Sequence, residues 1–512
     1  MLSTSGEVHR FRWVFGLLAM LGLGGCSESP AIPGDSTTTA AAAASQERDE
    51  WEIVYMQKVR VGYDHTTIHA IARDGRPLLR IEGLNHLVIK RANERVEQGF
   101  RSTEFDTPDG QLLEFECEMT AGGMKITGRA TGDQFLLTVT TEGKTTTSAL
   151  SRPADCGGFC AVNLSLERQP LQPGQKRTLT ALMPGFNKVA TIELAARDFQ
   201  RVTIPSGSYD LLQIDAQMRF ADGQTIPMTL WTDRTGQVIK NRCDEMNFES
   251  IRADKVSALE ETAGGQLDLM WDLAVKIDKP LVRAHASRRI RYRVHLEGGD
   301  PASVFVSGPS QQLRSIDPHT AEITVVALRP GDFPPGTPKA DETAEADDLQ
   351  PNNLIQSDDA RVVAMAREAA GAETDPWKTA LTLERYVNRI ITKKDFAHVF
   401  ASAAEVAAHP EGDCTEHAVL LAALARARGI PARVAVGLVY VEASRSFGYH
   451  MWDEVFIGKH WIPIDATLAL GGIGGAHLKL AQSNLKGGSA YASFLPVMKV
   501  SGRLKIEVLE EE

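Results

Sequence analysis

Over residues 51–260 apolar side chains recur at every second position in short runs, as in Phe135-Leu136-Leu137-Thr138-Val139-Thr140-Thr141. Turn pairs such as Asp109-Gly110, Glu142-Gly143, Asp222-Gly223 and Thr235-Gly236 separate them. Period-two runs bounded by glycine turns predict a largely antiparallel β domain. A second β segment follows over 267–333. Within it Arg289-Ile290-Arg291-Tyr292-Arg293-Val294-His295-Leu296 alternates without error, so one face is buried. The Arg289, Arg291, Arg293 and His295 face reads as a solvated strand face, with an anion-binding stripe as the alternative. Residues 334–353 hold four prolines with Asp341, Glu342, Glu345, Asp347 and Asp348, and read as an extended acidic linker.

Beyond the linker the period becomes helical. Helices are expected over 360–370 and over 376–391, the latter with Asp375 as N-cap and Pro376 at the first helical position. A third should span 414–428, because Asp413 and Glu416 fit a capping box and Gly429 then Pro431 supply the stop. Its apolar residues run nearly all round, so it should be central in its domain. Cys414 then occupies the first helical position, where unpaired N–H groups and the positive end of the helix dipole favour a thiolate. The same N–H groups could stabilise an oxyanion.

Two further strands are predicted by Tyr449-His450-Met451-Trp452-Asp453-Glu454-Val455-Phe456-Ile457 and Trp461-Ile462-Pro463-Ile464-Asp465, joined by Gly458-Lys459 as a two-residue type II′ turn. Pairing Ile457 with His460 puts His450 and Trp452 on one face, with Asp465 as the diagonal neighbour of His450. An odd loop would send Asp465 to the other face. The constellation is a cysteine nucleophile at a helix start, an imidazole base and a carboxylate that orients it. Zinc on Cys414, His417 and His450 is the metal alternative; it has no clear fourth ligand and leaves Asp465 without a task.

Length and composition narrow the function. A chain of 512 residues allows roughly three domains. With 43% hydrophobic and 24% charged residues it is neither wholly disordered nor a polytopic membrane protein. A net charge of −11 argues against a general nucleic-acid binder, which must neutralise phosphates. Six cysteines are too few for a disulfide scaffold. Cys117, Cys156, Cys160 and Cys243 are read as disulfide partners or inert thiols, ahead of a Cys156–Cys160 metal pair.

At the N-terminus, Arg10 and Arg12 precede an apolar run over 13–23, too short to span a bilayer and the length of a signal-peptide core. It ends in Leu23-Gly24-Gly25-Cys26, which resembles the lipobox of bacterial lipoproteins. That resemblance implies a signal peptide over 1–25, lipidation of Cys26 and export to a membrane facing the periplasm, with Ser27 favouring the outer membrane. Plain secretion is the alternative. Residues 26–50 have almost nothing to bury and read as a disordered tether.

The motifs Gly412-Asp413-Cys414, Ala423 to Arg433, His450 with Trp452 and Glu454, and Trp461 with Asp465-Ala466-Thr467 together resemble the transglutaminase-like superfamily. The resemblance covers residues 360–475. It implies an α+β, papain-like catalytic domain over 354–512, which with the N-terminal antiparallel β domains read above makes a multidomain chain. By it Cys414 is the nucleophile, His450 the base and Asp465 the orienting acid, supported by Asp413, Glu416 and Trp452. It also implies acyl transfer on a protein or peptide substrate through a thioester, without cofactor or metal, since no calcium-ligand cluster is visible. The alternative is a binding module that keeps the fold without turnover.

Overall fold

The computed structural model describes residues 47–91, 94–120, 123–141, 144–183, 186–260, 267–268, 272–332, 343–393, 401–486 and 495–512. The signal segment, Cys26 and nearly all of the expected tether lie outside them. Among the described residues no helix is long and apolar enough to cross a membrane.

The N-terminal region is one antiparallel sheet of 14 strands, from β1 (Arg48–Met56) to β14 (Phe248–Ala253). Each strand pairs with its sequence neighbour up to β8 (Lys144–Ser151), and again from β9 (Lys176–Met183) onward. Pairing of β1 with β14 joins the two halves, with Ile53 opposite Ile251. Between β8 and β9 the chain forms helix α1 (Ala161–Arg168), and after β14 the short α2 (Lys255–Leu259). The alternation seen in the sequence reflects this half-buried surface: in Gln134–Thr141 residues Phe135, Leu137 and Val139 are buried.

The segment after residue 267 is not self-contained. Strand β15 (Val275–Lys276) pairs with β20 (Ser446–Ile457), Val275 lying opposite Phe447. Strands β16 (Arg289–Leu296), β17 (Gln311–Asp317) and β18 (Thr320–Val326) form a sheet completed by β23 (Leu504–Glu511), the last strand among the described residues. The 267–333 segment and the 354–512 domain are therefore interlocked, a long-range pairing that no local pattern reveals. The arginine face of β16 is an ion-pair surface: Arg291 and Arg293 reach Glu322, and Arg289 reaches Glu510 and Glu512. This agrees with a solvated strand face.

The described part of the acidic stretch is not extended. Residues Ala346–Asp348 form a 3₁₀ turn capped reciprocally by Glu345 and Asp348. Buried Asn353 then donates to the Val139 carbonyl of the large sheet at 2.7 Å, while Asn352 donates to the Asn484 carbonyl at 2.7 Å. Both amides would be costly to bury unpaired, so these bonds dock the stretch between the two regions. A hydrophobic cluster joins Phe135 and Val139 to Ile355, Leu420 and Val436, giving the regions one continuous core.

Helices α3 (Ala360–Ala370), α4 (Pro376–Ile390) and α5 (Ala403–Ala408) surround α6 (Cys414–Ala427). Helix α6 packs on β19 (Ala432–Val441) and β20 (Ser446–Ile457), which continue into β21 (His460–Ile464). Strand β22 (His477–Ser483) lies on the other side of β19, and α7 (Leu495–Val500) leads to β23 (Leu504–Glu511). Cys117, Cys156, Cys160 and Cys243 are buried thiols that form no disulfide among the described residues. Burial pushes the Cys117, Cys156 and Cys243 thiols up to about 12, which makes them inert.

Candidate active site

Helix α6 starts where its sequence predicts. The Asp413 carboxylate accepts from the Thr415 N–H at 2.9 Å, and Glu416 accepts from the Asp413 N–H at 2.8 Å. Burial, then the neighbouring Asp413 carboxylate, push the Glu416 carboxyl well up. His417 Nδ1 donates to the Asp413 carbonyl at 2.5 Å, turning this ring back on the helix start instead of toward a shared metal. Cys414 thus sits at the first position of a helix that is buried along nearly its whole length.

The chain reverses tightly after α6. Arg426 donates from Nε to the Ala432 carbonyl at 3.0 Å, fixing the helix end to the first residue of β19. A helix of 14 residues rises about 21 Å, the length of roughly six strand residues. Helix α6 packs against β20, on which His450 lies opposite Gly437 of β19. A side chain at Gly437 would collide with the Leu478 carbonyl, its Cβ only 2.0 Å away, so glycine allows β22 to close in here.

The Gly458-Lys459 loop has two residues, and Ile457 pairs with His460 and Asp453 with Ile464 as the even register requires. The turn is type I′, not II′: φ is positive at both Gly458 (60°) and Lys459 (74°). Either turn keeps the register. Asp465 follows the last paired residue, and its Oδ2 accepts from His450 Nε2 at 2.8 Å. Its Oδ1 accepts from the Thr467 N–H at 2.8 Å. Trp452 stacks beside His450 with ring centroids 6.1 Å apart.

Two partners of Asp465 have no counterpart in the sequence reading. His477 on β22 places Nε2 at 3.1 Å from the same Oδ2. Glu384 on α4 accepts the Asp465 N–H at 3.2 Å, the Gly472 N–H at 3.0 Å and the Gly471 N–H at 3.0 Å. His477 opens a run, His-Leu-Lys-Leu, that alternates, a signal obscured by the glycine-rich stretch before it; Glu384 carries no local signal at all.

Residues 363–466 match the model of the transglutaminase-like superfamily. The C-terminal domain is transglutaminase-like. No curated protein matches the chain. Among solved structures it is similar to a proposed cysteine protease from Cytophaga hutchinsonii (16% identity, 44% of this chain and 90% of that one, TM-score 0.28). It is also similar to the β-barrel-like protein of a domain of unknown function from Brucella abortus (10% identity, 40% and 94%, TM-score 0.29). A third is the periplasmic domain of TgpA from Pseudomonas aeruginosa bound to ethylmercury (16% identity, 39% and 84%, TM-score 0.24).

Electrostatics in the transglutaminase-like domain favour a charged Asp465. Burial alone would raise its pKa, but the imidazoles of His450 and His477 outweigh that and hold it below the usual carboxylate range. Burial lowers the pKa of His477 against the opposing pull of Asp465. On the same sheet Glu454 is fully buried between Arg433 (2.9 Å) and Lys479 (2.7 Å), and these two cations keep it ionised against burial. That triad of charges ties β19, β20 and β22 together. His450, Asp465 and His477 are also the group, among the described residues, whose ligand atoms lie within 4.8 Å of one another, as a metal would need. The zinc alternative on Cys414, His417 and His450 is not such a group among the described residues.

Proposed function

We propose that the domain is a cysteine-dependent acyl-transfer enzyme acting on amide or peptide carbonyls. The observation that carries this reading is the buried His450–Asp465 hydrogen bond of 2.8 Å, made by a strand against which α6, with Cys414 at its capped start, packs. With Nε2 of His450 committed to Asp465, Nδ1 is the basic nitrogen of the ring, and it takes the thiol proton of Cys414. The sulfur attacks the carbonyl carbon, the C–N bond breaks, and the proton on Nδ1 passes to the leaving amine. A thioester remains on Cys414. Water then gives an acid, as in an amidase or peptidase, while a primary amine gives a new amide, as in a transglutaminase. His450 receives the proton of the incoming nucleophile and returns it to the sulfur.

The test is intact mass spectrometry of the full chain after incubation with a glutamine-containing peptide. A thioester adduct on the wild type and not on Cys414→Ala supports the reading. Ammonia release without amine incorporation selects hydrolysis; incorporation of a labelled primary amine selects transfer.

One observation favours a second reading, a binding module without turnover: Cys414 is 2% exposed and His450 0%. A site closed permanently cannot admit a carbonyl. Iodoacetamide labelling of Cys414 that stays fast below pH 7 decides for the enzyme, and labelling no faster than a free thiol decides for the module.

We further place the protein in a bacterial envelope, anchored through lipid on Cys26. This rests on the Leu23 to Cys26 motif and the apolar run before it. Labelled palmitate incorporated by the wild type and lost in Cys26→Ala would support it.

A further inference from the structure

A cavity of about 590 Å³ lies beside His285, whose ring contacts His477, and is in the size range of pockets for small ligands. Its lining includes Arg283, His285, Arg288, Arg329, Glu442 and Ile473. Apart from Glu442, all of these lie outside the 363–466 match.

Two contacts join the cavity to the site. Ile473 packs in one apolar cluster with Ala435 and Trp452, the ring that stacks beside His450. His285 meets His477 edge to face with centroids 5.9 Å apart, and His477 holds Asp465. Two side chains, His285 and His477 on one route and Ile473 and Trp452 on the other, thus link a ligand seated here to the Asp465–His450 pair.

The charge of the wall selects the ligand. Arg329 is committed, its guanidinium donating to the Leu328 and Ile473 carbonyls at 2.8 and 3.0 Å. Arg283 and Arg288 are exposed, and their guanidiniums form no ion pair among the described residues. By contrast Arg289, Arg291 and Arg293 on adjoining β16 are all paired with glutamates. Against the three arginines stand Glu442, Asp332, which already accepts the Arg329 N–H at 2.7 Å, and Glu511, which accepts the Arg283 N–H at 2.7 Å. Burial pushes His285 down to about 4, so that ring is neutral and adds no charge. The Arg288 fork, with Arg283 whose charge is shared with Glu511, beside the apolar side chains of Leu470 and Ile473 matches a carboxylate attached to a short apolar segment.

We propose that this cavity is a substrate subsite for a carboxylate, so that the acyl donor is a peptide bearing a free carboxylate near the carbonyl that is attacked. The proposal rests on the acyl-transfer reading above and names the substrate class for it. The carboxylate is either a peptide C-terminus or an acidic side chain.

Calorimetry on the full chain carrying Cys414→Ala separates binding from chemistry. Three glutamine hexapeptides are compared: one with a free C-terminus, one amidated, and one amidated with glutamate beside the glutamine. The free or the glutamate peptide should bind at least tenfold tighter than the neutral one, and which of them does so identifies the carboxylate. Arg283→Ala with Arg288→Ala should abolish that difference and leave neutral-peptide affinity unchanged, while Arg288→Lys should restore part of it. Absence of peptide binding, equal affinity for all three, or no effect of the arginine variants overturns the subsite. Failure of the wild type to form a thioester with a peptide that binds would instead overturn the acyl-transfer reading and leave the subsite standing.

Discussion

His477 reaches the same carboxylate oxygen of Asp465 that His450 uses, at 3.1 Å from the opposite side of the sheet's central strand. The donor is neutral, because burial lowers the His477 pKa. An uncharged N–H steadies Asp465 without cancelling its charge. Replacing it with alanine removes one donor and makes Asp465 a stronger partner for protonated His450. His477→Ala should therefore shift the acidic limb of the kcat/KM pH profile upward and destabilise the fold by about 1–3 kcal/mol, the usual value for a hydrogen bond to a charged group. His477→Gln, which keeps a donor, should recover most of both effects. An unmoved pH profile in the alanine variant would limit His477 to packing.

Glu384 collects three backbone N–H groups from the loop that carries Asp465. Burial pushes its carboxyl up to about 7 against the pull of those N–H groups. A folded pKa above the unfolded value means the native state binds the extra proton, so this group's contribution to stability falls as pH rises from about 4 through 7. Glu384→Gln should flatten the dependence of denaturant midpoint on pH across that window. At pH 5 it should cost about 1–3 kcal/mol by weakening the N–H contacts. Midpoints that keep the wild-type slope would contradict this.

The hairpin loop sets which face Asp465 occupies. Lys459 holds φ at 74°, a conformation that glycine adopts without strain. Lys459→Gly should raise stability by up to about 1 kcal/mol and leave activity intact. Insertion of one alanine between Gly458 and Lys459 makes the loop odd and turns the following strand over. Thioester formation should then be lost even where circular dichroism shows a folded protein, and retained turnover would refute the register argument.

Asp64 is buried on the large sheet, hydrogen bonded by Asn85 at 2.5 Å and facing Glu52 on the next strand. Burial first, then the Glu52 charge, push its carboxyl up to about 8. Its contribution to stability therefore falls as pH rises from about 4 to 8. Asp64→Asn should be more stable than the wild type at pH 8.5 by a few kcal/mol, since each tenfold change in proton affinity is worth ~1.4 kcal/mol. That advantage should vanish at pH 4, with denaturant midpoints as the readout. Equal gains at both pH values would show that the carboxyl does not titrate across this range.

Much of the site is written in local order. Asp413 with Glu416 caps α6 and places Cys414 at its first position through bonds that span three residues. Asp375 and Pro376 begin α4 in the same way, and the parity of the 458–459 loop fixes the facing of His450 and Asp465. These features depend on φ preferences, caps and the two-residue period of a strand, all of which are set by neighbours in the chain. The partners of Asp465 depend on closure over longer distances: His477 arrives through the pairing of β22 with β19, and Glu384 through the packing of α4. The joining of β23 to β16 and the docking of Asn352 and Asn353 are likewise tertiary. In each case a buried polar group has to find its partner from a distant segment, and burial in the folded core selects that pairing. Residue order alone leaves several partners equally open.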